Sequence, residues 1–351
     1  MRIAIVGLPS SGKTTVFKAL TGANPASAVE ASLVAVRVPD DRVKQLSDFY
    51  KPKKTNYASV EFVDLGGAAG LRKDAGELGA KFLSAVRPAQ ALLHVVDGFS
   101  LPESVDEFVA EAIASVDTEL VLADLGQVEK RIERLKKEGI KAGPMRMEFE
   151  KLEKTQQALE AGTPLRCLPE LALDDDLRSF SFLSAKPVLT VINTTEEQSA
   201  WSAKGLDEAL RNSREGDWGC FIPLCAALEA EIADLEPADA RAFLADYGID
   251  EPARERVINL SFDLLGLMSF LTVGEDEVRA WTIPKQARAQ DAAGVIHSDI
   301  ARGFIRAEVL DWKSTLDLGG FDEARKQGKI RLEGKDYLVK DGDVISFRFN
   351  V

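Results

Sequence analysis

The chain has 351 residues, a formal net charge of −13, 45% hydrophobic residues and 29% charged residues. That length predicts roughly two or three domains of a globular, soluble, cytoplasmic protein, with no apolar run near the ~20 residues that span a bilayer. Three cysteines without CxxC spacing and two histidines argue against a disulfide framework, a zinc site and a Ser-His-Asp triad, and the acidic balance argues against broad nucleic-acid binding.

The first element is a short apolar strand, RIAIV, that runs into a glycine-rich turn and reads as a fold element, not a signal peptide. A helix opens at Gly12 and continues to Leu20, with Val16, Phe17 and Leu20 on one face. Further strands are predicted at Val60–Asp64, Ala91–Asp97 and Val188–Asn193. Near-continuous apolar strands separated by helical stretches predict a mainly parallel α/β sheet covered on both faces. Residues 103–183 interrupt that rhythm. Thr118–Glu138 is strongly helical, with Leu120, Leu122, Leu125, Val128, Ile132 and Leu135 at helical spacing. After a break at Gly143–Pro144 a second amphipathic helix covers about Met145–Ala161. The pair reads as an antiparallel hairpin inserted into the sheet domain. Leu260–Thr272 is an apolar segment, and beyond it strand-like runs (VRAWTI, FIRAEVL, KIRLEG, DYLV, DVISFRF) alternate with turn signals, predicting a small β-rich domain.

The loop between the first strand and helix carries the chemistry. Gly7, Leu8, Pro9, Ser10, Ser11, Gly12, Lys13 and Thr14, followed by Thr15, satisfy the pattern G-x-x-x-x-G-K-S/T. Glycines let backbone N–H groups turn toward phosphate oxygens, the helix adds its positive end, Lys13 reaches the β and γ phosphates, and the Thr14 hydroxyl binds Mg²⁺. Asp64 ends the second strand, followed by Leu65, Gly66 and Gly67. An acid there can hold the Mg²⁺ through a water, and Gly67 can sense the γ-phosphate. Asn193-Thr194-Thr195-Glu196 follows the fourth strand, where nucleotide-binding domains of this type read the base. Asn193 and Glu196 are the candidate base contacts, with an ordinary helix-start acid as the other reading of Glu196.

These residues resemble the YchF subfamily of Obg-type P-loop GTPases. The resemblance runs over essentially the whole chain, through VDLGG, LGAKFLSAVRPAQALLHVVDGF, ELVLADLGQVEKRIERL, KPVLTVINTTE and LEAEIADL, and is densest from FLTVGEDEVRAWTIPKQ to the C-terminus. It implies an Obg-type G domain over 1–102 and 184–262, a helical coiled-coil insertion over 103–183 and a β-grasp-like TGS domain over 266–351. It also implies an NxxE base loop, met by Asn193 and Glu196, that accepts ATP as well as GTP, and an association with the ribosome or another RNA–protein assembly. Cys225-Ala226-Ala227 stands where the family has Ser-Ala-Lys closing over the base, so Ala226 keeps its backbone N–H while the flanking side chains depart.

Further departures bear on turnover. Ser10-Ser11 replaces the family's Asn-Val, and the switch I stretch Asn24–Val38 holds Ser27 and Ser32 but no threonine. Ala68 stands where Ras-like enzymes place a glutamine, and the loop Gly98–Glu107 lacks the histidine that the family uses instead. His94 lies inside a strand, and His297 in the TGS-like region. The expectation is a slowly hydrolysing, ATP- or GTP-binding regulatory NTPase in which Lys13 and Mg²⁺ supply most of the catalysis. The alternative is a non-hydrolysing nucleotide-sensing module with a degenerate switch I. A P-loop metabolic kinase is disfavoured because neither the helical insertion nor the C-terminal domain resembles an acceptor-substrate site. Basic residues such as Arg279, Lys285, Arg288, Arg302, Arg306 and Lys340 can supply a local patch for an RNA–protein partner or stand as dispersed solvated charges.

Overall fold

The structure is a computed structural model that describes residues 1–24, 31–65, 79–99, 105–196, 220–246 and 252–350. The chain forms two compact units, one of Met1–Val36 with Glu61–Ser261 and one of Arg37–Val60 with Phe262–Val351.

The first unit holds a six-stranded sheet made of β1 (Arg2–Val6), β2 (Ser32–Arg37), β4 (Ser59–Asp64), β5 (Ala91–Asp97), β6 (Val188–Asn193) and β7 (Cys220–Leu224), in the order β2-β4-β1-β5-β6-β7. Strand β3 (Lys54–Asn56) belongs to the other sheet. From β4 to β7 every pairing is parallel. Every residue of β6, and all of β5 except its last, is buried, which is why these strands read as unbroken apolar runs: a sheet covered on both faces has no solvent side to alternate toward. Parallel strands also end at one common edge, so the residues after Val6, Asp64, Asp97 and Asn193 come together there.

The hairpin extends from this sheet. Its first helix runs from Val105 to Glu138, an earlier start than the leucine pattern from Thr118 indicates, and its second from Pro144 to Glu160. Gly143, at φ 94°, precedes Pro144, whose missing N–H is harmless at a helix start. Val121, Val128, Ile132 and Leu135 pack with Leu152 and Leu159 between the helices, and Arg131 pairs with Glu148 at 2.7 Å. The fully buried Asp124 carboxylate fastens the hairpin to the chain that returns to the sheet, accepting from Leu183 N (2.9 Å) and Ser184 N (2.7 Å).

The second unit is built on β8 (Leu267–Thr272), β9 (Glu277–Pro284), β10 (Phe304–Asp311), β11 (Arg331–Glu333) and β12 (Asp343–Phe349), in the order β11-β10-β12-β8-β9-β3. The apolar segment Leu260–Thr272 is divided at Gly266 (φ 66°) between the end of the helix Ala253–Leu264 and β8. Four short helices, Ala289–Ile296, Ser298–Arg302, Trp312–Asp317 and Phe321–Lys326, lie among these strands. The run DYLV forms a single bridge, Leu338 to Arg288, and no strand, because the Tyr337 hydroxyl and the Lys340 N–H both bond the Asp343 carboxylate and turn the chain back toward β12. The helix Asp41–Tyr50, capped by Asp40 accepting from Arg42 N, and β3, parallel to β9, join this unit although they lie more than two hundred residues earlier in the chain. Among the described residues no helix is long and apolar enough to cross a membrane.

Asp124→Ala strands two buried N–H groups and is expected to lower the unfolding free energy by about 2–3 kcal/mol. Asp124→Asn, which keeps an acceptor, is expected to cost less, and urea unfolding of the two variants beside the wild type measures both.

Candidate nucleotide site

The loop after β1 takes backbone conformations that only its sequence allows. Gly7 has φ 151°, and a Cβ there would stand 2.4 Å from the Val95 carbonyl oxygen of the neighbouring strand. Gly12, at φ 86°, precedes the helix Lys13–Thr21, and a Cβ on it would stand 2.0 Å from Asn193 Nδ2. Ser10 also takes a positive φ, 66°, a cost that a non-glycine residue tolerates only where the surroundings hold it. The helix has no side-chain cap and no acid in its first turn. Its leading N–H groups and its dipole therefore remain directed at the loop, which fits an anionic phosphate group.

Lys13 Nζ donates to the Leu8 carbonyl at 2.7 Å, folding the ammonium back over the loop. Burial lowers its pKa from the ordinary lysine value, and the nearby Asp64 carboxylate opposes that shift. The Thr14 hydroxyl donates to Asp64 Oδ2 at 3.1 Å. A hydroxyl and a buried carboxylate, both hard oxygen donors, lie side by side under the loop and fit Mg²⁺, which takes few protein ligands beside phosphate and water.

Asn193, 1% exposed, joins three segments. Its Nδ2 donates to the Ser11 carbonyl at 3.1 Å, its Oδ1 accepts from Ala226 N at 3.2 Å, and its own carbonyl accepts from Gly98 N at 2.8 Å. Ala226 opens the helix Ala226–Asp234, with Cys225 at its N-cap. Cys225 is buried, and that burial raises its thiol pKa, with the Glu196 charge adding to the shift. The segment 193–196 and the segment 225–226 thus adjoin each other next to the phosphate loop, and Glu196 itself is exposed.

The structure therefore brings Gly7–Thr15, Asp64, Asn193, Glu196, Cys225 and Ala226 to one edge of the sheet. Gly67, Ala68 and Ser27 lie outside the described residues. His94 is buried within β5, opposite Val6 and Thr190 of the neighbouring strands, and His297 caps the helix Ser298–Arg302. Several basic residues of the second unit are paired with acids, as in Lys285–Asp263, Arg288–Asp336 and Arg302–Asp299, which neutralises those members of the candidate patch. The sequence reading missed Gly98 and the bridging role of Asn193. A glycine placed just after a strand-end acid was the available signal for the first.

Residues 2–131 match the family described as 50S ribosome-binding GTPase, and residues 267–350 match the YchF GTPase C-terminal family, described as a protein of unknown function. Over 99% of this chain and 98% of the relative, the sequence is 41% identical to the ribosome-binding ATPase YchF of Bacillus subtilis (strain 168). The chain belongs to the YchF family. The Obg-like ATPase 1 of Oryza sativa subsp. japonica is 34% identical over 100% of this chain and 92% of its own length. The solved structure of the Schizosaccharomyces pombe YchF GTPase superposes with a TM-score of 0.83 at 28% identity, covering 99% of this chain and 97% of that one. A P-loop G domain followed by a YchF C-terminal domain is thus the fold class of this chain.

Asn193→Ala is expected to lower the unfolding free energy by about 2–3 kcal/mol, because the Ser11 carbonyl and the Ala226 N–H lose buried partners. A denaturation midpoint equal to the wild type's would show that the amide does not tie these segments together.

Proposed function

We propose that this YchF family member is a regulatory NTPase that binds ATP or GTP through Gly7–Thr15, hydrolyses it slowly, and acts on or near the ribosome in the cytoplasm. The observation that supports this most is the Thr14–Asp64 contact beneath the loop, because it pairs a phosphate cradle with the two side chains that a nucleotide-bound cation needs. The names of the relatives, ribosome-binding ATPase and 50S ribosome-binding GTPase, support the partner. The division into a G domain (1–102 and 184–262), a helical insertion (103–183) and a TGS domain (266–351) is part of the same reading.

In this scheme Lys13 leaves the Leu8 carbonyl for the β and γ phosphates, while the loop N–H groups hold their oxygens. Thr14 and Asp64 would hold Mg²⁺, which when bound would offset the charge of the phosphates. Asn193 keeps the loop in register with the base segment, where Glu196 would meet the base; the Ala226 N–H, expected to be offered to the base, is instead taken by Asn193 Oδ1. Gly67 senses the γ-phosphate. Hydrolysis is slow because no glutamine follows Asp64-Leu65-Gly66-Gly67 and both histidines of the chain are committed elsewhere, leaving charge stabilisation as the main catalytic contribution.

A second reading, a nucleotide sensor without turnover, is favoured by one feature, the absence of threonine between Asn24 and Val38. Affinity for ATP and GTP with Mg²⁺, followed by single-turnover phosphate release with and without ribosomes, separates the two. Slow release supports the NTPase, whereas tight binding with no release even on ribosomes supports the sensor. Lys13→Ala is expected to weaken nucleotide binding at least ~10-fold, the loss of a charge-assisted hydrogen bond worth about 1.5–3 kcal/mol. Unchanged affinity in that variant would remove the phosphate role of the loop.

A further inference from the structure

Along the long helix Val105–Glu138 the core face carries Leu120, Val121, Val128, Ile132 and Leu135. A second stripe at helical spacing, Glu119, Leu122, Gly126, Lys130 and Arg134, lines a groove of about 660 Å³. The helix Ala80–Val86 and the turn at Phe180 form the other wall, through Leu83, Arg87 and Phe180.

Three features mark this groove among the described residues. Leu122 is 47% exposed. Gly126 sits in mid-helix, where glycine costs about 1 kcal/mol relative to alanine, yet a Cβ there would meet nothing within 4 Å, so packing among the described residues does not require its absence. The charges are also biased. Arg87, Lys130, Arg131 and Arg134 line it together with Glu119 and Glu129, a net positive lining in a chain of net charge −13. Arg131 pairs with Glu148 and Arg87 donates to Gln127 Oε1 and the Phe180 carbonyl, whereas Lys130 and Arg134 make no ion pair among the described residues.

We propose that this groove is a docking site for an acidic amphipathic helix of a partner protein. Leucine-like anchors at i, i+3/i+4 and i+7 would lie along Leu83, Leu122 and Phe180, the partner backbone would approach closest over Gly126, and its flanking carboxylates would meet Lys130 and Arg134. A protein occupant fits better than a nucleic acid because the apolar lining is Leu83, Leu122, Ala123 and Leu125 with Phe180 as its single aromatic ring, which offers little for bases to stack on.

The test uses the full chain and a fluorescent synthetic helix of about 18 residues with leucines on one face and glutamates beside them, a length that spans several turns of such a groove. Gly126→Leu fills the groove at a site where any side chain improves helix propensity, so the fold is retained. Lys130→Glu with Arg134→Glu reverses the wall charge, and Lys154→Glu, exposed on the second helix of the hairpin, serves as the control. The expected result is anisotropy binding to the wild type and the control, weakened at least ~10-fold by each groove variant, with nucleotide affinity unchanged throughout. No binding, or equal binding by Gly126→Leu, overturns the proposal. So does preferential binding of a single-stranded RNA oligonucleotide that the charge reversal abolishes and Gly126→Leu leaves intact. Because the probe is neither a ribosome nor a nucleotide, failure here leaves the NTPase reading standing, and failure of that reading leaves this result interpretable.

Discussion

The amide of Asn193 is the interaction on which the arrangement of the site depends. One planar group donates to the phosphate loop at Ser11 and accepts from the start of the helix at Ala226, while its backbone carbonyl receives Gly98. Three loops from three parallel strands are thereby held in one register. The space it occupies is taken from Gly12, whose missing Cβ leaves room for Nδ2. A glycine needed for a left-handed turn is therefore also needed for a neighbour's side chain, and the two requirements reinforce each other.

The electrostatics follow from that scaffold. A helix start without a side-chain cap, a half-buried lysine and a buried acid would be costly together if the lysine and acid were unpartnered. Here the lysine is held by a backbone carbonyl and the acid by the Thr14 hydroxyl. Each of these bonds engages the group that a nucleotide and its cation would claim, so binding exchanges partners at the site and does not create buried charges anew.

Away from the edge, the hairpin and the second unit show how differently structure is written in sequence. The hairpin's helical spacing is visible because its core is local: Val128, Ile132 and Leu135 meet Leu152 across a short turn. The contribution of Lys54–Asn56 to the C-terminal sheet has no such signal. One exposed and two half-exposed residues carry no hydrophobic pattern, and their partner strand, Glu277–Pro284, lies more than two hundred residues away. The run DYLV illustrates the reverse, a strand-like composition that a carboxylate at Asp343 turns into a bend.

By itself the sequence determined the phosphate-loop motif, the four adjoining strands β4, β1, β5 and β6 of the first sheet and the family, because each rests on local residue types: glycines where φ is positive, unbroken apolar runs where both faces are covered, and a motif with Lys13 and Thr14 at fixed spacing; the strands Ser32–Arg37 and Cys220–Leu224 went unread. Only the tertiary structure decided that Thr14 meets Asp64, that Asn193 bridges Ser11 and Ala226, that Asp41–Tyr50 and Lys54–Asn56 belong with the C-terminal strands, and that a second helix stripe is left facing an open groove. The physical reason is that these are contacts between residues distant along the chain, made by single polar groups or short segments whose partners are chosen by strand order and packing, and no local periodicity records that choice.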